Sequence, residues 1–220
     1  MRHFGRSFID DLEKIYRINL INSVSGYKSA NLIGTRDDSG VSNVAVFSSV
    51  IHMGSNPPLL GFILRPTKVA RNTYSNILKN NLYTINHISC DFAQKAHHTS
   101  AKYEPEVSEF DVTGLTEQYL NDFQAPFVKE SPVKMAMRFV EEHKIRTNET
   151  LLVVGEICDL YVEDDLLEED GFVNLSKGKI ASINGLDGYS LATEPTRYGY
   201  QRPRDTPSLA AREKQGSKFI

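Results

Sequence analysis

Short runs of apolar residues alternate with turn residues along much of the chain. Residues 30–34, 44–51 and 59–64 form three such runs, and the middle one is rich in β-branched side chains. Residues 36–40 carry Asp and Gly, which close hairpins, whereas residues 53–58 include two adjacent prolines, which cannot donate to a strand ladder. The pattern predicts three strands, joined first by a hairpin turn and then by a longer loop.

The rest of the chain continues this pattern with few helical stretches. Apolar runs predict further strands at residues 81–86, 132–140 and 151–161, whereas residues 180–183 belong to a turn-rich segment at residues 171–187. Helical spacing is found at residues 1–18, 74–79 and 92–99, with a helical turn expected at residues 116–121. Several short strands with few helices favour an antiparallel barrel over an alternating βαβ sheet.

The composition narrows the class of protein. With 220 residues, 40% hydrophobic and 24% charged, the chain can build one sizeable globular core. A formal net charge of -3 argues against nucleic-acid binding, and no apolar run approaches the roughly 20 residues of a membrane helix. Cys90 and Cys158 lie in unrelated contexts and are expected to be free thiols. We therefore expect a soluble, cytoplasmic protein without nucleic-acid or membrane partners.

Two local features carry candidate chemistry. Residues 65–73 combine Arg65, Lys68 and Arg71 with hydrogen-bonding residues just before a predicted helix. A helix N-terminus in this setting suits a phosphate or carboxylate, although the same residues also fit a solvated loop before a capped helix. In the middle strand, the adjacent hydroxyls of Ser48 and Ser49 should point to opposite faces, so one must find a partner in the core.

Motifs for self-sufficient catalysis are absent from the sequence. No G-x-G-x-x-G follows a strand, and there is no G-x-S-x-G elbow or convincing Ser/His/Asp set. Adjacent His97 and His98 do not share a face, and no other ligand lies at metal spacing, so no metal site is expected. His98 and His52 are candidates for contact with a cofactor or substrate, and the alternative is that they are surface histidines. Any difficult chemistry would therefore come from a cofactor.

Three stretches share their order and spacing with a known family. They are N-V-A-V-F-S-S-V at residues 43–50, the Pro57-Pro58 pair, and R-N-T-Y-S-N-I at residues 71–77. Further similarity lies at residues 82–87, 107–110, 130–133, 151–160 and 197–200. Together they resemble the flavin reductase-like family of FMN-binding split barrels, which includes flavoredoxin.

The resemblance implies a fold and a domain plan. The expected fold is mainly β, an antiparallel Greek-key split β-barrel with a few peripheral helices. The domain would occupy residues 20–203, preceded by an N-terminal helical segment at residues 1–19 and followed by a tail at residues 204–220.

The resemblance also implies FMN bound at a homodimer interface. Residues expected to line the ring and ribityl chain are Asn43, Ala45, Phe47, Ser48, Ser49 and Val50. Arg71, Asn72 and Thr73 stand where the family has K-D-T and are assigned to the phosphate, since Arg keeps the charge and adds a planar fork. Arg197 is assigned to the flavin or to the other subunit.

Three departures from the family pattern affect the ring rather than the phosphate. The family's Pro-Tyr is Val46-Phe47 here, its aromatic pair is Ser49-Val50, and its following Asn is Ile51. Ring packing, redox tuning and flavin preference are therefore expected to differ from the family pattern.

The activity implied is electron transfer through bound FMN, from NADH or NADPH to a flavin or another small-molecule acceptor. No catalytic side chain is assigned. The alternatives are a flavin-binding protein without turnover and a relative of the pyridoxamine-phosphate oxidases, which would need a more basic pocket.

Overall fold

The computed structural model describes residues 1–66, 72–104 and 106–203. Arg71 and the expected tail at residues 204–220 therefore lie outside the described residues. The strands are β1 (Lys28–Ser29), β2 (Asn31–Arg36), β3 (Ser42–Phe47), β4 (Ile51–Ser55), β5 (Pro58–Leu64), β6 (Leu82–His87), β7 (Glu117–Gln118), β8 (Phe127–Val128), β9 (Val133–Ile145), β10 (Thr150–Val162), β11 (Ala181–Asn184) and β12 (Gly188–Leu191). The helices are α1 (Arg6–Asp11), α2 (Lys14–Ser23), α3 (Asn72–Asn80), α4 (Ala93–His98) and α5 (Glu109–Thr113), with 3-10 turns at Cys90–Phe92 and Asp164–Leu166.

Seven strands form the main sheet, in the order β3-β2-β6-β9-β10-β5-β4, and every pair in it is antiparallel. A smaller sheet has the order β1-β11-β12, and β7 pairs with β8. The long β9 and β10 contain two register shifts, at Val154/Gly155 and between Ile157 and Asp159. Such bulges bend a strand and increase its twist, which helps a sheet to curve.

The sheet closes on itself because its two edge strands follow each other in the chain with few residues between them. β3 and β4 lie at opposite ends of the strand order, yet only residues 48–50 separate them. Four residue steps of extended chain span at most about 14 Å, far less than the width of a flat seven-stranded sheet. The edges must therefore approach each other, which confirms the predicted mainly β, antiparallel split barrel.

Alternation along the strands separates two cores. Ile33 and Ile85 point into the barrel with Phe62 and Met137, whereas Leu32 and its neighbours pack outward. The outer cluster includes residues of α4, α5 and β11, namely Ala96, Phe110, Ala181 and Ile183. Burial of such side chains contributes about 1.5–3 kcal/mol each, so both faces of the central strands stabilise the fold.

Three local predictions were wrong. The middle strand expected at residues 44–51 ends at Phe47. There one edge strand of the main sheet, β3, ends, and the opposite edge strand, β4, begins at Ile51. Much of the loop expected at residues 53–58 is strand, with Ser55 paired to Pro58 across a two-residue turn. Residues 116–121 contain β7 rather than a helical turn, because Glu117 and Gln118 find backbone partners in β8.

The predicted helices are present with altered bounds. α3 begins at Asn72, and α4 follows a 3-10 turn near the expected position. The N-terminal segment forms α1 and α2, neither of which contains a buried residue. Within the described part of the chain, no helix combines the length and apolar character that crossing a bilayer requires.

Candidate functional site

The segment that joins β3 to β4, residues 48–50, is here called the crossover. Ser49 fastens it to the barrel, since its hydroxyl donates to the Ile63 carbonyl at 3.0 Å and accepts from the Ile63 N–H at 3.1 Å. The expectation that one hydroxyl of the serine pair needs a partner is confirmed. Ser48 is only partly buried, and its hydroxyl has no hydrogen bond to another described residue. The pair thus divides into one structural hydroxyl and one that can meet a ligand.

β3 is an edge strand whose free side is partly covered. The Val44 N–H points away from β2 and donates to the Glu109 carboxylate of α5 at 3.1 Å. Burial raises the pKa of the Glu109 carboxyl, against the opposing effect of this hydrogen bond. Because alternate residues of a strand share an orientation, the backbone N–H and C=O of Val46 face the same open side. Backbone groups at this edge can therefore bond to the polar rim of a flat ring.

A buried polar network joins β3 to the start of α3. The Asn43 amide donates to Thr73 Oγ1 at 3.1 Å and to Thr35 Oγ1 at 3.4 Å, and Asn76 donates to Thr35 Oγ1 at 3.1 Å. None of these four side chains is more than 5% exposed. The network fixes the first turn of α3 relative to the barrel, as buried polar groups with satisfied hydrogen bonds do.

This network connects two groups of residues that sequence reasoning had assigned separately. Asn43 belongs to the β3 stretch and Thr73 to the R-N-T stretch, and their side chains are directly bonded. Asn43 can therefore act on a ligand by orienting Thr73. The Thr73 hydroxyl accepts from Asn43 and keeps its own hydrogen, which can be donated to an anion. Arg71, the residue before Asn72, lies outside the described residues.

Ala45, Phe47 and Val50 complete the half-buried run next to this network. The Phe47 ring packs edge-on against Phe62, with centroids 5.1 Å apart. Phe47 and Val50 also pack against the apolar cluster inside the barrel. A ligand could pack against these apolar side chains, and the Phe47 ring is already held by its contact with Phe62.

Three residues of the site were missed by sequence reasoning. Ser29 of β1 donates to the Val50 carbonyl at 3.2 Å, which ties the crossover to the small sheet. Thr35 and Asn76 hold the polar network. Asn76 could have been found, because it lies three residues after Thr73 and shares its helix face. Ser29 and Thr35 carry no such local signal.

Arg197 belongs to a different cluster. Its guanidinium donates to Asp170 at 2.6 Å and lies 4.1 Å from the centroid of the Phe172 ring. The ion pair holds the pKa of the Asp170 carboxyl below its ordinary value. The assignment of Arg197 to a flavin or to another subunit stays a prediction.

Two of the three histidines considered contact tyrosine hydroxyls. His97 Nδ1 lies 3.3 Å from the Tyr189 hydroxyl, and His98 Nε2 lies 3.0 Å from the Tyr103 hydroxyl. His52 is exposed on β4, where its backbone pairs with Leu60. Residues 1–66, 72–104 and 106–203 hold no His, Cys, Asp and Glu group suited to a metal ion.

Together, these elements suit a flat, amphipathic molecule with an anionic tail. The open edge of β3 and the Ser48 hydroxyl can meet a polar ring rim, Phe47 supplies an apolar edge, and Thr73 can donate to the tail. The donor set fits a flavin nucleotide. Fold and site thus define a split-barrel domain of the flavin-binding kind.

Comparison with known proteins identifies the family. Residues 25–181 match the model of the flavin reductase like domain. The chain belongs to the flavin reductase-like family, and this membership supports a flavin cofactor and an oxidoreductase type of activity.

Solved structures agree with this placement. A split-barrel protein of Shewanella frigidimarina with a provisional flavin reductase assignment is 47% identical, with a TM-score of 0.88 over 91% of this chain and 100% of that one. Component B of nitrilotriacetate monooxygenase from Bacillus cereus is 18% identical, with a TM-score of 0.76 over 89% and 97%. Flavoredoxin of Desulfovibrio vulgaris is 21% identical, with a TM-score of 0.67 over 81% and 91%. The last two show likeness of fold alone.

Proposed function

We propose that this protein is an FMN-dependent oxidoreductase that passes electrons from NADH or NADPH to a flavin or another small-molecule acceptor. One observation carries the proposal: the hydrogen bond between Asn43 and Thr73 joins the open edge of β3 to the start of α3. A flavin ring at the β3 edge and its phosphate at the start of α3 would then contact parts of the protein that are hydrogen-bonded to each other. Membership of the flavin reductase-like family and likeness to the Shewanella frigidimarina protein support the class of reaction.

In this proposal, the residues of the site bind and orient the flavin. Thr73 donates its hydroxyl hydrogen to the phosphate, and Arg71 supplies the positive charge that the sequence assigns to the same group. The backbone of Val46 and the hydroxyl of Ser48 meet the ring rim, while Phe47 excludes water from one side. When bound, FMN supplies hydride and electron transfer, which no side chain of this site could provide.

The phosphate assignment is tested by FMN titration of Thr73→Val. This variant keeps the size of the side chain but removes its hydroxyl, so we expect the Kd for FMN to rise about tenfold, or about 1.4 kcal/mol. Thr99→Val is the matched control, because Thr99 is also buried but bonds to Ala96 in α4. Arg71→Ala should weaken binding by at least as much. Unchanged FMN affinity in both site variants would contradict the assignment.

A second assay separates turnover from binding. We expect the FMN-loaded protein to oxidise NADH or NADPH when a flavin or another acceptor is added, followed by absorbance of the nicotinamide. Tight FMN binding without consumption of either nucleotide would instead favour the alternative of a flavin-binding protein without turnover. Oxidation of pyridoxamine phosphate would favour the third possibility raised by the sequence.

We also propose a homodimer that works in the cytoplasm. Ile51 and Met53, which follow the crossover on edge strand β4, are 49% and 44% exposed in the single chain. Burying them against a second copy would remove apolar surface from water and close the open side of the site. Both cysteines are unpaired, which supports a reducing compartment.

A further inference from the structure

A polar pair lies next to apolar residues in the interior of the barrel. Asn31 of β2 and His87 of β6 are directly opposite each other in the antiparallel ladder, and the next interior pair is Ile33 and Ile85. Asn31 is 1% exposed, and Phe47 faces it from the other side, on β3. The Asn31–His87 pair therefore lies in the same row as a predicted flavin contact.

The backbone pattern brings these two side chains close together. Ile88 donates its N–H to the Ala30 carbonyl at 3.1 Å, so the neighbouring pair in the ladder is the hydrogen-bonded one. Asn31 and His87 then form a non-hydrogen-bonded pair, in which Cα atoms approach to about 4.5 Å and side chains are closest.

Each side chain has a buried polar atom without a hydrogen bond to any described residue, Oδ1 in Asn31 and Nδ1 in His87. The orientation of the Asn31 amide is fixed by Ser29. Ser29 uses its hydroxyl hydrogen on the Val50 carbonyl, so the Asn31 atom 2.9 Å from Ser29 must be the donor Nδ2. Asn31 Oδ1 therefore needs a donor, and leaving it unpaired would be costly.

The same bonds lead to the crossover. Asn31 bonds to Ser29, and Ser29 bonds to the Val50 carbonyl, which connects the barrel interior with the small sheet and residues 48–50. Any change in the Asn31–His87 pair can therefore be passed to the crossover through two hydrogen bonds.

We propose that the Asn31–His87 pair binds one internal water molecule and that, through Ser29, it positions the crossover for flavin binding. The water donates to Asn31 Oδ1 and also bonds to His87 Nδ1, as donor or acceptor according to the tautomer of the neutral ring. Water suits the site better than an ion, because both groups are neutral and the surrounding residues are apolar. The burial that holds His87 neutral is consistent with this arrangement. The positioning half of the proposal rests on the proposed flavin site.

The water site is tested without flavin. We expect an atomic-resolution crystal structure of the full chain to show a water bridging the two atoms, and nitrogen NMR to show a neutral His87 ring. A direct bond between Asn31 and His87, or a structure with no water between the two atoms, would overturn the water site even if the protein binds FMN.

The positioning role is tested by FMN titration of Ser29→Ala and Asn31→Leu. We expect each to raise the Kd for FMN about three- to tenfold, and the double variant to add little, because both break one chain of bonds. Ser182→Ala is the matched control, since Ser182 pairs with Ser29 but bonds to Ser190 within the small sheet.

The results of these titrations distinguish a failure of the positioning role from a failure of the proposed function. Ser29→Ala changes a half-buried residue of β1 rather than a fully buried one, so it remains informative if Asn31→Leu does not fold. An unchanged Kd in Ser29→Ala, with wild-type protein that binds FMN, would overturn the positioning role. Wild-type protein that ignores FMN would overturn the proposed function, while leaving the crystallographic and NMR tests of the water site valid.

Discussion

Buried polar side chains connect β2 and β3 to α3 through hydrogen bonds. One hydrogen-bonded network joins the side chains of Thr35, Asn43, Thr73 and Asn76. Removing one partner from such a network leaves another group buried and unpaired, which costs more than the bond itself contributes. Substitutions here will therefore affect stability as well as any ligand, and paired controls are needed to separate the two effects.

His87 should make folding stability depend on pH. Burial lowers the pKa of its ring from 6.5 to about 4. The unfolded chain binds this proton near pH 6.5, whereas the folded chain binds it only near pH 4. The stability that neutral His87 contributes is therefore fully present above pH 6.5 and is lost as the pH falls from 6.5 to about 4. At about 1.4 kcal/mol for each pH unit, the loss is at most roughly 3 kcal/mol.

Urea unfolding across this pH range measures the effect. His87→Leu should flatten the slope between pH 6.5 and 4 relative to the parent, with carboxylates contributing equally to both proteins. A parent and variant with parallel stability profiles would show that this ring does not titrate as expected.

At the scale of the element, the crossover offers a matched pair of serines. Ser49→Ala removes two hydrogen bonds to Ile63, so we expect the free energy of unfolding to fall by about 1–3 kcal/mol. Ser48→Ala should leave stability within about 0.5 kcal/mol of the parent but weaken FMN binding. Thermal unfolding and FMN titration of both variants would reveal this split. Equal stability losses would contradict it.

The bulged region of β10 depends on a glycine for a close approach. A Cβ at Gly155 would overlap the buried hydroxyl of Tyr83 and lie 3.0 Å from the Arg138 carbonyl oxygen. Gly155→Ala should therefore lower the free energy of unfolding by about 1–3 kcal/mol.

Tyr83 provides the control for this prediction. Its hydroxyl has no partner among the described residues, and burial raises its pKa. Tyr83→Phe should be close to neutral, because it removes an unpaired polar group, and should relieve part of the Gly155→Ala penalty. Additive effects in denaturant unfolding of the double variant would rule out the overlap as the cause.

At the scale of the whole molecule, the two sheet edges differ. The β3 edge is partly covered by α5 through Glu109, whereas β4 presents Ile51 and Met53 to solvent. An exposed apolar edge strand is a site for association unless another chain covers it.

The expected cover is a second copy, and Ile51→Glu tests this. Sedimentation of the parent should give a dimer, and the variant should shift toward monomer and bind FMN more weakly, because a buried charge opposes the contact. Val140→Glu is the control, since Val140 is similarly exposed at 47% but lies on β9. A monomeric parent would contradict the dimer proposal.

Much of the fold could be predicted from local pattern. The runs that became β2, β5, β6, β9 and β10 were recognised because alternation and β-branched residues report a strand directly. β4 and β7 were missed, because neither carries a strong apolar pattern and each is held by its partner strand. For the candidate site, sequence could name Asn43 and Thr73 but not their bond, which joins residues 30 positions apart.

By itself, the sequence determined the antiparallel β character, the position of the hydroxyl pair and the family to which the chain belongs, because these depend on residue type and short spacing. Tertiary structure alone decided that Ser49 fastens the crossover while Ser48 stays available, and that Asn43 bonds to Thr73. It also decided that Asn31 lies opposite His87 and reaches the crossover through Ser29. Such pairings depend on strand register and barrel closure, which bring distant residues within hydrogen-bonding reach and leave no local trace in the chain.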